Sequence, residues 1–114
     1  MRTIISAIII GASVAACGAT FPVPTQRMAD AESAERSARE LGAGSQPEAQ
    51  LHLRLAQEQI AKAKSSVREG DNERADLLLV RAKADAELAV SLAREQVAKN
   101  ELQKADTAKE KAPQ

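Results

Sequence analysis

The sequence predicts an all-α protein: an antiparallel hairpin of two long helices, with a shorter helix on its N-terminal side. Residues 27 to 112 are rich in Ala, Glu, Lys, Arg, Leu and Gln, all strong helix formers. The alternation of apolar and polar residues that is typical of half-buried strands does not occur. Gly70 separates two long helical patterns. The connection around it is so short that the chain must reverse direction there.

The first sixteen residues have the layout of a secretory signal peptide. Arg2 is their only charge, and Ala15 and Ala16 are the small residues that precede a cleavage site. The uncharged run from Ile4 to Ala16 would form a helix of about 20 Å, shorter than the hydrocarbon core of about 30 Å. A cleaved signal peptide over residues 1–16 is therefore favoured over a spanning helix.

The residues Val14-Ala15-Ala16-Cys17 contain the only cysteine of the chain. In this position they resemble a bacterial lipobox, although the usual motif has Leu where this chain has Val14. The resemblance implies cleavage before Cys17, a diacylglyceryl group on its sulfur and usually a third acyl chain, which together give stable anchoring. Gly18 stands where lipoproteins of the inner membrane often have Asp, which implies the outer membrane, on its periplasmic side. The alternative is an ordinary secretory signal that happens to contain a cysteine.

The charge balance and the aromatic content argue against a nucleic-acid partner. The chain has 16 basic and 16 acidic residues, and loss of Arg2 leaves 15 against 16. A nearly neutral chain has no basic patch for nucleic acid, and Phe21, its only aromatic residue, provides no stacking platform. We therefore expect no nucleic-acid partner, and the single thiol predicts no disulfide.

The segment from 17 to 26 is expected to be a tether that links the lipidated cysteine to the helical domain. Pro22 and Pro24 favour an extended backbone. We expect Phe21 to lie near the membrane surface.

The first helix is then predicted from about Arg27 to Leu41. Its narrow apolar stripe consists of Ala31, Ala34, Ala38 and Leu41, and its expected ion pairs are Glu32 with Arg36 and Glu35 with Arg39.

The second helix is predicted to follow Gly42-Ala43-Gly44. Ser45, three residues before Glu48, is typical of a capping box, and Pro47 is tolerated in the first turn. Gly70 is expected in the left-handed conformation at the end of this helix. The buried seam should consist of Leu53, Ala56, Ile60, Ala63 and Val67, widened by Leu51 and Leu55.

The third helix is predicted from about Asn72 to Lys104, capped by Asp71 or Asn72, and it has two apolar lines. One line consists of Ala75, Leu79, Ala82, Ala86, Ala89, Ala93 and Val97. The other lies nearly opposite and consists of Leu77, Ala84, Leu88 and Leu102, with Leu92 beside them. A helix in a simple hairpin needs one apolar face. The second must be covered by the first helix, another subunit or a partner, so Leu77, Ala84 and Leu88 form the candidate interaction face.

The domain organisation follows from these elements: signal peptide 1–16, tether 17–26, helical domain 27–104 and a polar, fraying tail 105–114. The stretch from Leu51 to Ala93 is similar to the small alanine-rich envelope lipoproteins grouped as domain-of-unknown-function family 4398. The most specific part of the likeness is the turn Gly70-Asp71-Asn72-Glu73-Arg74-Ala75. The resemblance implies a lipoprotein that faces the periplasm, and it brings no catalytic residues.

Metal and catalytic sites are not expected. Glu48 and His52 are one helical turn apart, but two ligands do not make a zinc site. The residues Asp71, Asn72, Glu73 and Asp76 crowd one turn but lack the alternating ligand loop of a calcium site, and capping accounts for them better. Ser65-Ser66 has no histidine nearby in sequence, so we expect neither an enzyme nor a cofactor.

The sequence is compatible with three roles. The first is a lipid-anchored structural or interaction protein that binds another envelope protein or a second copy of itself. The second is a carrier of an apolar small molecule or lipid, against which the small alanines argue because they close gaps between helices. The third is covalent coupling to the cell wall through a terminal lysine, which the ending Lys111-Ala112-Pro113-Gln114 does not favour.

Overall fold

The computed structural model describes residues 20–111. This range forms the helices α1 (Thr25–Glu40), α2 (Pro47–Arg68) and α3 (Asn72–Lys111), with one turn of 3-10 helix at Ala43–Ser45. The prediction of an all-α hairpin with a shorter N-terminal helix is confirmed. None of the helices in this range is both long and apolar enough to cross a membrane.

The turn between α2 and α3 reverses the chain as predicted. Gly70 has a φ of 81°, in the left-handed region. Its N–H donates to the carbonyl of Val67 at 3.1 Å, and the N–H of Asp71 donates to the carbonyl of Ser66 at 2.9 Å. These two bonds form a Schellman motif, which satisfies carbonyls that the end of a helix would otherwise leave unpaired.

The next helix is capped within the same turn. The carboxylate Oδ1 of Asp71 accepts a hydrogen bond from the backbone N–H of Arg74 at 3.1 Å. Of the two predicted caps, Asp71 is therefore the one that satisfies the start of α3, and it places a negative charge at the positive end of the helix dipole. Asn72 is the first helical residue.

The first helix begins two residues earlier than predicted. The N–H of Met28 donates to the carbonyl of Pro24 at 3.0 Å, so Pro24 is the N-cap and Thr25 is the first helical residue. The tether therefore ends at Pro24. Proline can precede a helix in this way because its carbonyl is available although its ring excludes it from the interior. The helix ends at Glu40, before Gly42, whose φ of 80° stops it.

The prediction of a capping box at the start of α2 is wrong. Ser45 lies in the 3-10 turn, and its hydroxyl donates to the carbonyl of Gly42 at 2.7 Å instead of accepting from the helix. Gln46, with an extended backbone, occupies the N-cap position without a side-chain cap. Pro47 is then the first helical residue, the position that its fixed φ and missing N–H suit best, and this preference displaces the capping box.

Alanine dominates the interface of the three helices. One cluster of buried residues consists of Ala31, Ile60, Ala63, Ala75, Leu79 and Ala82. A second, farther from the turn, consists of Ala38, Ala43, Ala49, Leu53, Ala89 and Ala93. In both, α1 packs against α2 and α3 together, and it runs parallel to α3. Small side chains let the helices approach closely but bury little apolar area per residue.

The predicted seam of α2 is largely confirmed. Leu53, Ala56, Ile60 and Ala63 are buried, and Val67 is partly buried. Leu51 is exposed and Leu55 is half-buried, so the expected widening of this face was wrong for Leu51.

The C-terminal part of α3 differs from the prediction. The helix continues to Lys111 instead of ending near Lys104, so the part of the expected tail that is described is helical. Val97, expected in the buried line, is 46% exposed. The reason is that Ala49, near the start of α2, packs at the level of Ala93, so α3 extends beyond its neighbours from there on. Residues 97–111 are exposed and rich in helix formers.

Candidate interaction surface

Only one of the two sets of predicted site residues lies in the described part of the chain. Cys17, the predicted lipidation site, lies outside the described residues, which begin at Thr20. Leu77, Ala84 and Leu88 lie on α3 and are all exposed. Their role as contact residues stays a prediction.

An exposed apolar strip follows one side of α3. We call it the outer strip; it consists of Leu77, Val80, Ala84 and Leu88, whose spacing of three or four residues places them on one face. Leu77 is 59% exposed, Val80 45% and Leu88 43%. Its ends, Leu77 and Leu88, are eleven positions apart, which corresponds to about 17 Å of helix. Val80 is not among the predicted residues of this face, although its spacing from Leu77 and Ala84 places it in the strip.

The opposite face of α3 explains why the outer strip is free. The six buried residues of α3 are Ala75, Leu79, Ala82, Ala86, Ala89 and Ala93. Both α1 and α2 pack against this inner line, with Ala31 and Ala38 as the contacts that α1 contributes. Of the three ways to cover the second face, the structure therefore excludes α1.

Polar contacts across the helices hold the hairpin in register. The Nδ1 atom of His52 on α2 lies 2.9 Å from Oδ1 of Asp85 on α3. The Nε2 amide of Gln59 donates to the other oxygen of Asp85 at 2.7 Å. His52 is thus half-buried and paired across the hairpin. The antiparallel hairpin places residue 85 of α3 opposite the middle of α2. This register could have predicted the pair.

A second polar group joins α1 to α2. Glu35 is only 6% exposed. Its carboxylate accepts hydrogen bonds from Arg39 at 2.7 Å and from Gln57 at 2.6 Å. The predicted pair of Glu35 with Arg39 is confirmed, whereas Glu32 pairs with Lys64 of α2 at 2.6 Å and not with Arg36.

The surroundings of Glu35 change its acidity. Burial alone would raise the pKa of the Glu35 carboxyl. The hydrogen bonds from Arg39 and Gln57, with the positive charges of Arg39 and Arg36, outweigh burial and hold the pKa below its ordinary value. The group is therefore a carboxylate at neutral pH, and it ties α1 to α2 through charge-assisted hydrogen bonds.

The beginning of the described chain is attached to the start of α3. The Nδ2 amide of Asn72 donates to the carbonyl of Phe21 at 2.8 Å. Four positions farther along α3, Asp76 pairs with Arg27 of α1 at 2.5 Å. The tether therefore enters the structure beside the turn that joins α2 to α3.

The residues considered as metal ligands have other partners. The Nδ1 atom of His52 faces Asp85 and not Glu48, and Asp71 and Asp76 engage Arg74 and Arg27 respectively. Among residues 20–111, no group of three or more His, Cys, Asp or Glu side chains is placed to hold a metal ion.

The family model described as a domain of unknown function, DUF4398, matches residues 26–105, well over half of the chain. The chain belongs to the DUF4398 family. The DUF4398 region contains α1 without its first residue, all of α2 and the packed part of α3, and the outer strip lies within it. Cys17 precedes the region. Searches of curated proteins and of solved structures each found no match to the chain.

Proposed function

We propose that this DUF4398 protein is a lipid-anchored lipoprotein of the bacterial cell envelope with a non-catalytic, structural or protein-interaction role. The anchor is the acylated Cys17, and the location is the periplasmic side of the outer membrane. The interaction surface is the outer strip of α3, which binds another envelope protein or a second copy of the chain.

The observation that carries the interaction role is the exposure of the outer strip on a helix whose other face is already packed. Leu77 and Leu88 are apolar, and in the chain by itself they are 59% and 43% exposed to solvent. Burial of one leucine side chain contributes about 1.5–3 kcal/mol, so two such contacts can hold a specific partner in a membrane-confined protein.

The support for the anchor comes from the sequence before the helical body. A charged start, an uncharged run of suitable length and small residues before the only cysteine occur together and in the required order.

The anchor also bears on the interaction role. A soluble partner would have to find the protein by diffusion in three dimensions. A lipid anchor confines the outer strip to a surface, which favours weak contacts between proteins on the same membrane.

The carrier of an apolar small molecule is less well supported by the described residues. A cleft between α1 and α2 is lined mostly by charged or polar side chains: Glu32, Glu35, Arg36, Arg39, Gln57 and Lys64. Such a lining does not suit an apolar ligand, whose site is expected to be mainly hydrophobic. Native mass spectrometry of the purified domain discriminates the two roles, because a retained lipid would favour the carrier.

The anchor is tested by Cys17→Ser. Metabolic labelling with a fatty acid should mark the wild-type protein and leave the variant unmarked, and the variant should remain an uncleaved or mislocalised precursor. Equal labelling of both proteins would remove the basis for the anchor.

The interaction surface is tested by the double variant Leu77→Glu and Leu88→Glu. Association, measured by sedimentation, should be lost, while circular dichroism remains that of the wild type because the inner line of α3 still packs. The matched control is Leu79→Glu, at a leucine that is 1% exposed, which should unfold the domain. Unfolding of the double variant would show that these leucines belong to the core.

A further inference from the structure

The position of the tether determines which end of the hairpin lies nearest to the proposed anchor. Asn72 binds the carbonyl of Phe21, so the first described residues are held at the start of α3. Phe21 is four positions after Cys17, and an extended chain covers at most about 3.6 Å per position. The anchor therefore lies within about 14 Å of Phe21, whatever path the chain takes.

The surface at this end is formed by Phe21 and Val23 of the tether and by residues 68–74 of the turn; we call it the base. Phe21 is 45% exposed and Val23 52% exposed. The exposed charges of the turn are Arg68, Glu69, Asp71, Glu73 and Arg74, one more acid than base. Apolar contact, and not attraction to anionic headgroups, is what this end offers to a lipid surface.

We propose that the base rests on the lipid surface that holds the acyl chains of Cys17, so that α3 rises away from the membrane. The inference depends on the proposed lipid anchor and specifies how the body is placed on the membrane. It follows that the 40 residues of α3, about 60 Å of helix, carry Lys111 far from the lipid. The outer strip would then face sideways, between about 8 and 24 Å from the base.

A side-on arrangement, with the outer strip on the lipid, agrees less well with the structure. Asn72 and Leu77 are five positions apart on α3, which places them about 140° apart around the helix axis. The tether therefore joins α3 on a different side from the outer strip. The side-on arrangement would turn Phe21 away from the lipid and would leave the apolar tether residues in water.

Energy transfer to labelled lipids tests the orientation. The full, matured protein is reconstituted in vesicles of phosphatidylethanolamine and phosphatidylglycerol that carry a headgroup acceptor. A donor is attached through Arg74→Cys or Lys104→Cys, two exposed positions separated by about 45 Å of helix. Transfer should be strong from position 74 and at least severalfold weaker from position 104. Equal transfer from both positions, or stronger transfer from 104, would overturn the proposed orientation.

The wild-type protein separates a failure of the orientation from a failure of the anchor. Its only cysteine is Cys17, which takes up no thiol label if it is acylated. Labelling of the reduced wild-type protein would overturn the anchor and, with it, the orientation. An unlabelled wild type with equal transfer from the two positions would overturn the orientation alone.

The contribution of Phe21 is tested by Phe21→Ser in the position-74 protein. Its backbone carbonyl, which binds Asn72, is retained, so only the apolar contact is removed. The matched control is Val97→Ser, since Val97 is 46% exposed but lies far along α3. Transfer should fall in Phe21→Ser and remain unchanged in Val97→Ser. The same transfer in both variants would contradict a lipid contact at the base.

Discussion

His52 and Asp85 lie on opposite arms of the hairpin, with Nδ1 of the imidazole 2.9 Å from Oδ1 of the carboxylate. The second oxygen of Asp85 accepts a hydrogen bond from Gln59, so one residue of α3 engages two residues of α2. The alanine-rich interface around them has few large side chains to define how far one helix slides along the other. Directional polar contacts supply that definition.

The first prediction concerns this pair. Asp85→Ala should lower the free energy of unfolding by about 1–3 kcal/mol, because it leaves the half-buried polar groups of His52 and Gln59 without their partner. Urea unfolding followed by circular dichroism measures the change. The control is Asp106→Ala, at an exposed position of α3, which should change stability by no more than about 0.5 kcal/mol. Equal midpoints for the two variants would show that the polar contacts do not stabilise the hairpin.

The second prediction concerns the pH dependence of stability at Glu35. Its pKa is lower in the folded chain than the ordinary value that it regains on unfolding. The carboxylate therefore stabilises the fold above its ordinary, unfolded-state pKa, and this contribution is lost as the pH falls through the lower folded pKa. Glu35→Gln should be less stable than the wild type at pH 7 by about 1–3 kcal/mol.

The difference between the wild type and Glu35→Gln should narrow as the solution is acidified, because a protonated glutamate and a glutamine are both neutral. Thermal melts across the acid range measure it. Glu58→Gln, at an exposed glutamate of α2, serves as the control. A difference that stays constant from neutral to acid pH would contradict the assigned role of the Glu35 carboxylate.

The third prediction concerns the turn. Gly70 has a φ of 81°, and a side chain added there would have no atom within 4 Å, so the cost of a substitution comes from the backbone alone. Gly70→Val should destabilise the fold by about 1–2 kcal/mol, since β-branched residues are disfavoured in the left-handed region. Gly44→Ala is the matched control, because that glycine also has free space but does not have a positive φ. An unchanged melting temperature in Gly70→Val would argue against the reversal of the chain at this residue.

The sequence predicted those parts of the fold that depend on local chemistry. The reversal at Gly70 follows from one residue that tolerates the left-handed conformation, with Asp71 as the following cap. The inner line of α3 follows from a period that alternates three and four residues. Local signals were sufficient because the turn and cap bonds join residues that are close in sequence, and because the apolar face of a helix follows from spacing along that helix alone.

The remaining features depend on contacts between distant residues. Glu32 has a good intrahelical partner in Arg36, but the packing of α1 against α2 brings Lys64 closer. Val97 belongs to the apolar period of α3, yet the start of α2 determines that no helix covers it. The same packing places His52 opposite Asp85. Contacts between different helices cannot be predicted from the spacing of residues along one helix.

Three of the four residues of the outer strip, Leu77, Ala84 and Leu88, were predicted from spacing alone, because they lie opposite the inner line. Whether a first helix would cover it could not be predicted. The narrow stripe of α1 is compatible with either face of α3, and only the packing of Ala31 and Ala38 assigns it to the inner one.

Photo-crosslinking in native envelopes tests the central claim most directly. A photoreactive amino acid replaces Leu77, Leu88 or, as a control, the exposed Glu58 of α2, and crosslinked products are identified by mass spectrometry. We expect a discrete product, either a second copy of the chain or one other envelope protein, from positions 77 and 88 and not from position 58. The absence of a product at 77 and 88, or the same products from all three positions, would contradict the assignment of the outer strip as an interaction surface.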